Sequence, residues 1–336
     1  MKRIIKRMTL GVISIVLIIV GVFIFSPRPI TWIVKQSFVG GNEVAAADFD
    51  EAKQKTTMEA DINYGPKFPN STLDIIHYKG DKQNIPTIFW IHGGAFVGGD
   101  KADVLKYATY IASNGFNVVN INYGLAPNVS YPVPLQQIDQ AYRFIKKNAK
   151  QYGLDISNIY VAGDSAGAQL AAQFTSIQMN EGFSDSAKIG RSIPPETIRG
   201  VILLCGPYDL QEVATMSPSA FKRFLFKRIG WSYFGKYNWE GKQATLEASL
   251  LKNVPKAFVP TFITDGNTAS FEAQGKRFAK LLEKRTTVTQ VFYDTSKGTY
   301  GHEYQFQMNL DAAQNTFKEL LKFLEETKSS AATKQS

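Results

Sequence analysis

The tightest constraint on this chain is local. Residues 159–162 form an apolar run of strand character and lead into Gly163-Asp164-Ser165-Ala166-Gly167, and a segment of helical period, residues 166–179, follows at once. A strand that becomes a helix within one residue must turn sharply at Ser165, and such a turn raises the serine hydroxyl above the sheet edge. Bulk two positions before or after the serine would keep strand and helix apart, so Gly163 and Gly167 answer a steric need. The Ala166 N–H, at the helix start, is then aimed at charge developing beside the serine. Taken alone the pentapeptide also fits an ordinary tight turn, so the rest of the chain has to decide.

Short β-branched or aromatic runs alternate with helix-period segments beyond residue 72, the pattern of a mostly parallel sheet covered by helices on both faces. Strands are expected at residues 73–78, 87–92, 117–122, 159–162, 200–205, 261–264 and 289–293, and helices at 102–114, 134–152, 166–179, 272–284 and 311–327. Residues 211–252 break the pattern with Phe221, Phe224, Phe226, Trp231, Tyr233, Phe234, Tyr237 and Trp239, and read as an aromatic insertion. No internal repeat is seen.

Residues 8–25 contain no charge over 18 positions. As a helix they reach about 27 Å, against a bilayer core of about 30 Å. Lys2, Arg3, Lys6 and Arg7 precede the stretch, which places the N-terminus in the cytoplasm and the bulk of the chain outside. A cleaved signal peptide is the competing reading, but the apolar run is long for one and Ser26-Pro27-Arg28-Pro29 is no small-residue cleavage site. Those four cations also supply nearly half of the net charge of +9, and the remaining +5 is spread over a 336-residue chain without any nucleic-acid module, which argues against nucleic-acid binding. Cys205 is the one cysteine, so neither an internal disulfide nor a cysteine-based zinc or iron–sulfur site can form.

His92-Gly93-Gly94-Ala95-Phe96 follows the strand at residues 87–92 directly, and matches the Gly-rich oxyanion loop that lipases and esterases place after an early strand. The amides of Gly93 and Gly94, with no Cβ in the way, would complete a three-donor hole with Ala166. A phosphate-binding turn is the alternative, but no Lys-Ser/Thr pair or Gly-x-Gly-x-x-Gly follows. A serine nucleophile calls for a base that titrates near neutrality. Of three histidines, His77 lies inside a strand and His92 opens the loop, which leaves His302 in Gly301-His302-Glu303-Tyr304, after the last strand. A solvated loop histidine is the bland reading of that residue.

Three blocks together resemble the hormone-sensitive-lipase-like group of α/β-hydrolase carboxylesterases. They are His92 to Phe96, Tyr123-Gly124-Leu125-Ala126-Pro127 and Gly163-Asp164-Ser165-Ala166-Gly167, and the likeness runs over residues 73–323, about three quarters of the chain. The resemblance implies hydrolysis of carboxylic esters through an acyl-serine, with no metal and no cofactor. Gly124 stands where the family has Arg, and Glu303 and Tyr304 follow His302 where Gly and a hydrophobic residue are common. The family's acid lies three residues past the Gly that ends the seventh strand, and here that position is Ala269. Asp265, at the strand end, and Glu272 are the local substitutes, with Asp209 more distant. The rigid strand-end position favours Asp265.

The expected plan is an α/β-hydrolase fold: a basic N-terminus at 1–7, a transmembrane anchor at 8–25, a linker at 26–67 with a short amphipathic helix at 49–59, the hydrolase domain at 68–327 with its cap-like insertion at 211–252, and a disordered tail at 328–336. The expected partners are a small-molecule or cell-surface ester and the membrane. Two rivals stay open: a cell-surface glycan deacetylase or acyltransferase using the same acyl-enzyme, and a non-catalytic surface binding protein that has lost its acid. The insertion has three readings, as a wall of the acyl pocket, as a helix pair burying its own aromatics, or as a patch resting on an anionic membrane surface.

Overall fold

The computed structural model of the chain describes residues 2–80, 84–183, 187–253 and 255–329. Among these, eight strands join one sheet: β1 (Thr56–Asn63), β2 (Thr72–Tyr78), β3 (Pro86–Ile91), β4 (Asn117–Ile121), β5 (Asp155–Asp164), β6 (Ile198–Leu204), β7 (Thr261–Thr264) and β8 (Val288–Val291). They lie in the order β1-β2-β4-β3-β5-β6-β7-β8. From β4 to β8 every pairing is parallel, while β1 and β2 add an antiparallel edge.

Alternation along the strands explains the two cores. Ile88 and Trp90 of β3 join Val118, Tyr160, Ala162, Ile202, Leu204 and Phe262 on one face. Phe89 and Ile91 join Val119, Val161, Leu203 and Ile263 on the other. The first face is covered by α4 (Leu105–Ser113) and α11 (Asp311–Ser329), and the second by α5 (Val133–Asn148), α6 (Ala166–Met179) and α10 (Glu272–Leu282). Covering both faces is what lets parallel strands be apolar throughout. The chain reverses its direction of winding between β3, β4 and β5, so the C-terminal ends of β3 and β5 open onto a switch point. Ile91 pairs with Gly163 there, which brings the loop after β3 beside the turn after β5.

The N-terminal part corrects the expected linker. Where a linker with one short helix was expected, residues 26–67 hold α2 (Arg28–Gln36), α3 (Phe49–Gln54) and β1. The helix expected at 49–59 stops at Gln54 and turns into a strand, because Met58, Ala60 and Ile62 alternate with polar residues and can add an edge to β2. Before them, α1 (Lys2–Phe25) contains a candidate span at Arg3–Phe25 of mean hydropathy 2.9, none of it buried. It is long and apolar enough to cross a membrane. The insertion between β6 and β7 folds into α7 (Leu210–Met216), α8 (Ala220–Phe234) and α9 (Gln243–Ala248). Of the tail expected from 328, residues 328 and 329 end α11, and 330–336 lie outside the described residues.

Candidate active site

Ser165 sits between β5 and α6 with φ 50° and ψ −119°, a left-handed conformation that costs a non-glycine residue energy. Its amide donates to the Leu204 carbonyl at 2.7 Å, which pins the turn against β6. The two flanking glycines are needed for space. A Cβ on Gly163 would strike the Gly167 carbonyl, and one on Gly167 would strike the Ile91 and His92 carbonyls.

His302 lies on the loop after β8, and its Nε2 is 2.9 Å from Ser165 Oγ. On the other side of the ring, Nδ1 is 3.5 Å from Asp265 Oδ1, an ion-pair distance longer than an ideal hydrogen bond. Asp265 is 1% exposed and follows β7 directly. Its Oδ1 accepts from the Gly266 amide at 2.8 Å and its Oδ2 from the Phe271 amide at 2.9 Å. The alternative acid is turned elsewhere, because Glu272 pairs with Lys276 at 2.7 Å. Asp209 caps α7 through the Gln211 and Glu212 amides and pairs with Lys252. Burial works against an imidazolium at His302, yet the Asp265 contact and the Glu303 charge outweigh it and hold its pKa above the ordinary histidine value.

Two residues that the sequence reading did not single out join the acid loop to the histidine loop. Asn267 accepts from the Tyr300 amide at 2.9 Å and donates to the Gly298 carbonyl at 2.8 Å. Phe271 sets its ring edge-on to His302, with centroids 5.2 Å apart. The turn sequence Asp265-Gly266-Asn267 was the available signal for the first. Phe271 carried none, since its role depends on the helix N-terminus folding back under the imidazole.

The loop after β3 departs from expectation at one atom. The Gly93 amide, expected in the oxyanion hole, donates instead to Asp164 Oδ2 at 2.8 Å, while Trp90 Nε1 donates to Asp164 Oδ1 at 2.9 Å. A donor already held by a buried carboxyl is not free for substrate oxygen. Gly94, Ala95 and Phe96 all have positive φ, and among the described residues the amides of Gly94, Ala95 and Ala166 donate to no protein acceptor. Successive amides in that conformation form an anion-binding concavity. His92 is structural: fully buried, it stacks on Tyr123 at 4.5 Å and holds the Gly93 carbonyl at 2.7 Å. Burial pulls its pKa down to about 4, so it stays neutral and donates from Nδ1.

Asp164 also faces Glu303 in a small cleft shared with Gly93 and Gly94. Burial, with the Glu303 charge behind it, pushes the Asp164 carboxyl well above the usual range, and burial raises Glu303 as well. Two carboxyls so placed cannot both ionise. Cys205, Asp265 and His302 bring their ligand atoms within 4.8 Å of one another. The thiol, however, donates to Gln305 at 3.2 Å, and burial raises its pKa.

Beside Ser165 lies an apolar cavity of about 60 Å³ walled by Ala95, Phe96, Phe226, Tyr233, Trp239 and Phe271 among others. The aromatic insertion thus lines the pocket and also packs on itself, with Phe234 and Trp239 stacked at 5.3 Å.

A family model described as BD-FAE matches residues 73–275. Among curated proteins, the chain is 34% identical over 125 residues to the versiconal hemiacetal acetate esterase of Dothistroma septosporum, covering 37% of this chain and 38% of that protein. It is 31% identical over 118 residues to a putative alpha/beta hydrolase, R526, of Acanthamoeba polyphaga mimivirus, covering 35% of this chain and 34% of that protein. The chain therefore spans little more than a third of the length of these relatives. Esterase B of Lactobacillus Rhamnosis superimposes with a TM-score of 0.75 at 20% identity over 92% of this chain and 98% of that one. An esterase of the bacterial hormone-sensitive lipase family does so with a TM-score of 0.63 at 18% identity over 90% and 97%. At such identities the likeness fixes the fold, which is that of an α/β-hydrolase.

Proposed function

Since the chain belongs to the BD-FAE family, we propose that it is a serine carboxylesterase. The observation that carries this reading is the Ser165–His302 contact on a strained turn that faces unpartnered amides. Ser165 Oγ attacks the ester carbonyl while His302 Nε2 takes its proton. Asp265 holds the Nδ1 proton and balances the imidazolium. The amides of Gly94, Ala95 and Ala166 receive the oxyanion, and His302 returns the proton to the leaving alcohol. Water then repeats the sequence on the acyl-serine.

The cavity favours a short acyl chain. A water needs about 10–15 Å³ of such space, so the pocket of about 60 Å³ holds roughly four to six heavy atoms, a propanoyl to pentanoyl group. For α1 the proposal is a membrane anchor with the N-terminus in the cytoplasm and the hydrolase domain outside, supported by its length, its exposed apolar surface and the four cations that precede residue 8.

The test is hydrolysis of p-nitrophenyl esters from acetate to palmitate by the full chain in detergent, with Ser165→Ala beside it. The reading expects turnover on the short esters that the substitution abolishes. Turnover unaffected by Ser165→Ala, or none on any ester from folded protein, would overturn it.

A further inference from the structure

From the packing around α1 we infer that α2 and α8 form a docking face for an anionic phospholipid leaflet, the one from which α1 emerges. The inference rests on the reading of α1 as a membrane anchor. Arg228 Nη1 of α8 donates to the Ile24 carbonyl in the last turn of α1 at 3.0 Å. The same guanidinium lies over the Phe224 and Trp231 rings, 5.0 and 5.1 Å from their centroids. Helix α8 is thereby fastened to the end of α1, at the depth where a span meets headgroups.

Helix α2 completes the face. Its inner side buries Ile30 and Thr31, and Val34 packs with Phe226 and Ile229 of α8 and with Ala95 and Val97 of the loop after β3. Its outer side leaves Trp32 64% exposed, and α8 leaves Phe221 67% exposed. A tryptophan and a phenylalanine held in water beside the end of a membrane span have the position of an interfacial aromatic belt. The charge is one-sided: residues 1–42 and 213–239 contain no Asp or Glu, while Arg28, Lys35, Lys222, Lys227 and Lys236 are exposed there. Each such cation near an anionic leaflet strengthens surface binding roughly fivefold. Apolar side chains ringed by cations, with no acid among them, fit anionic headgroups better than a protein surface of mixed charge. The inward side of α8 supplies Phe226, Ile229 and Gly230 to the acyl pocket, so the pocket wall and the docking face are two sides of one helix.

The test uses the full chain, reconstituted into vesicles of phosphatidylcholine alone or mixed with phosphatidylglycerol, with an environment-sensitive fluorophore on Phe221→Cys and spin-labelled lipid as quencher. Cys205 is buried and leaves the label to the new thiol. Lys150→Cys, exposed at the opposite end of the sheet from Ser165, gives the water reference. The expected result is quenching at 221 several-fold above that at 150 in the phosphatidylglycerol vesicles, reduced by Lys222→Glu with Lys227→Glu. Quenching at 221 equal to that at 150 in both lipids, from chain that still floats with the vesicles, overturns the docking face and leaves the anchor standing. Equal quenching at 221 in both lipids, above the reference, overturns the anionic preference. Failure to float after an alkaline wash overturns the anchor and the face together, and none of these outcomes touches the Ser165 assay.

Discussion

Asp265→Asn removes one charge and almost no volume, and the effect can be worked from the geometry. At 3.5 Å from His302 Nδ1, a full carboxylate stabilises the imidazolium of the transition state by about 5 kcal/mol at an effective dielectric of about 20. That corresponds to roughly three to four decades in kcat, similar to the loss of about 10⁴ in the best-measured serine triad. Since the contact is made with the base and not with the ester, kcat falls and KM stays within about threefold. The substitution also removes a cause of the raised His302 pKa, so the acid limb of the kcat/KM profile moves to lower pH. Glu272→Gln, whose carboxylate faces Lys276, stays within about threefold of the parent on this reasoning. The assay is steady-state hydrolysis of p-nitrophenyl butyrate across pH, with thermal unfolding to verify that each variant is folded. An Asp265→Asn enzyme within tenfold of the parent, or a larger loss in Glu272→Gln, would refute the assignment of the acid.

Asn267→Ala cuts both ties to the histidine loop, and kcat should fall about tenfold while the Ser165 acylation site stays accessible to a phosphonate probe. Phe226→Ala opens the acyl pocket on the α8 side, and the optimum of the ester series should lengthen by about two to four carbons; an unmoved optimum would mean that the wall lies elsewhere. Glu43 caps α4 through the Lys106 and Tyr107 amides, and burial raises its pKa to about 7. The folded chain therefore holds a proton that the unfolded chain has released above pH 4.5, so stability falls as pH rises from about 4.5 to about 7, by up to about 3 kcal/mol. Denaturant midpoints at pH 5 and pH 8 should show that loss in the parent and a smaller one in Glu43→Gln. His92 acts in the opposite direction: with its pKa lowered to about 4, its share of stability is complete above about pH 6.5 and is lost as pH falls through 4. Unfolding curves taken between about pH 6.5 and about pH 4 would show it.

The parts of the site legible in the sequence are those that sterics fixes locally. Gly163 and Gly167 had to be small for strand and helix to meet, and His302 was left when two histidines were placed in a strand and a loop. The glycine pair after His92 was legible as a loop, yet which amide is free depends on where the Asp164 carboxyl points, and a linear reading cannot give that. The acid was harder still. Ala269 occupies the family's position with φ 50°, and only the fold shows that Asp265 takes up the contact four residues earlier while Glu272 turns to Lys276. Among the elements, β1 was missed because it is an edge strand with most residues exposed, which weakens the apolar contrast that marks a buried strand.

Asp164 spends both of its oxygens on donors from the segment around β3, Trp90 and Gly93, so the turn carrying the serine and the loop facing it move as one block. The wall opposite that block comes largely from α7 and α8, encoded by a contiguous stretch between two strands. Selection for a different ester can therefore act on pocket-facing residues of that stretch such as Phe226 and Trp239, while Tyr233, stacked on Phe96, and Ala248, bonded by Gln169, tie the stretch to the reacting side. Chemistry and choice of substrate thus lie largely on separate stretches of the chain that meet at the Phe96–Tyr233 stack.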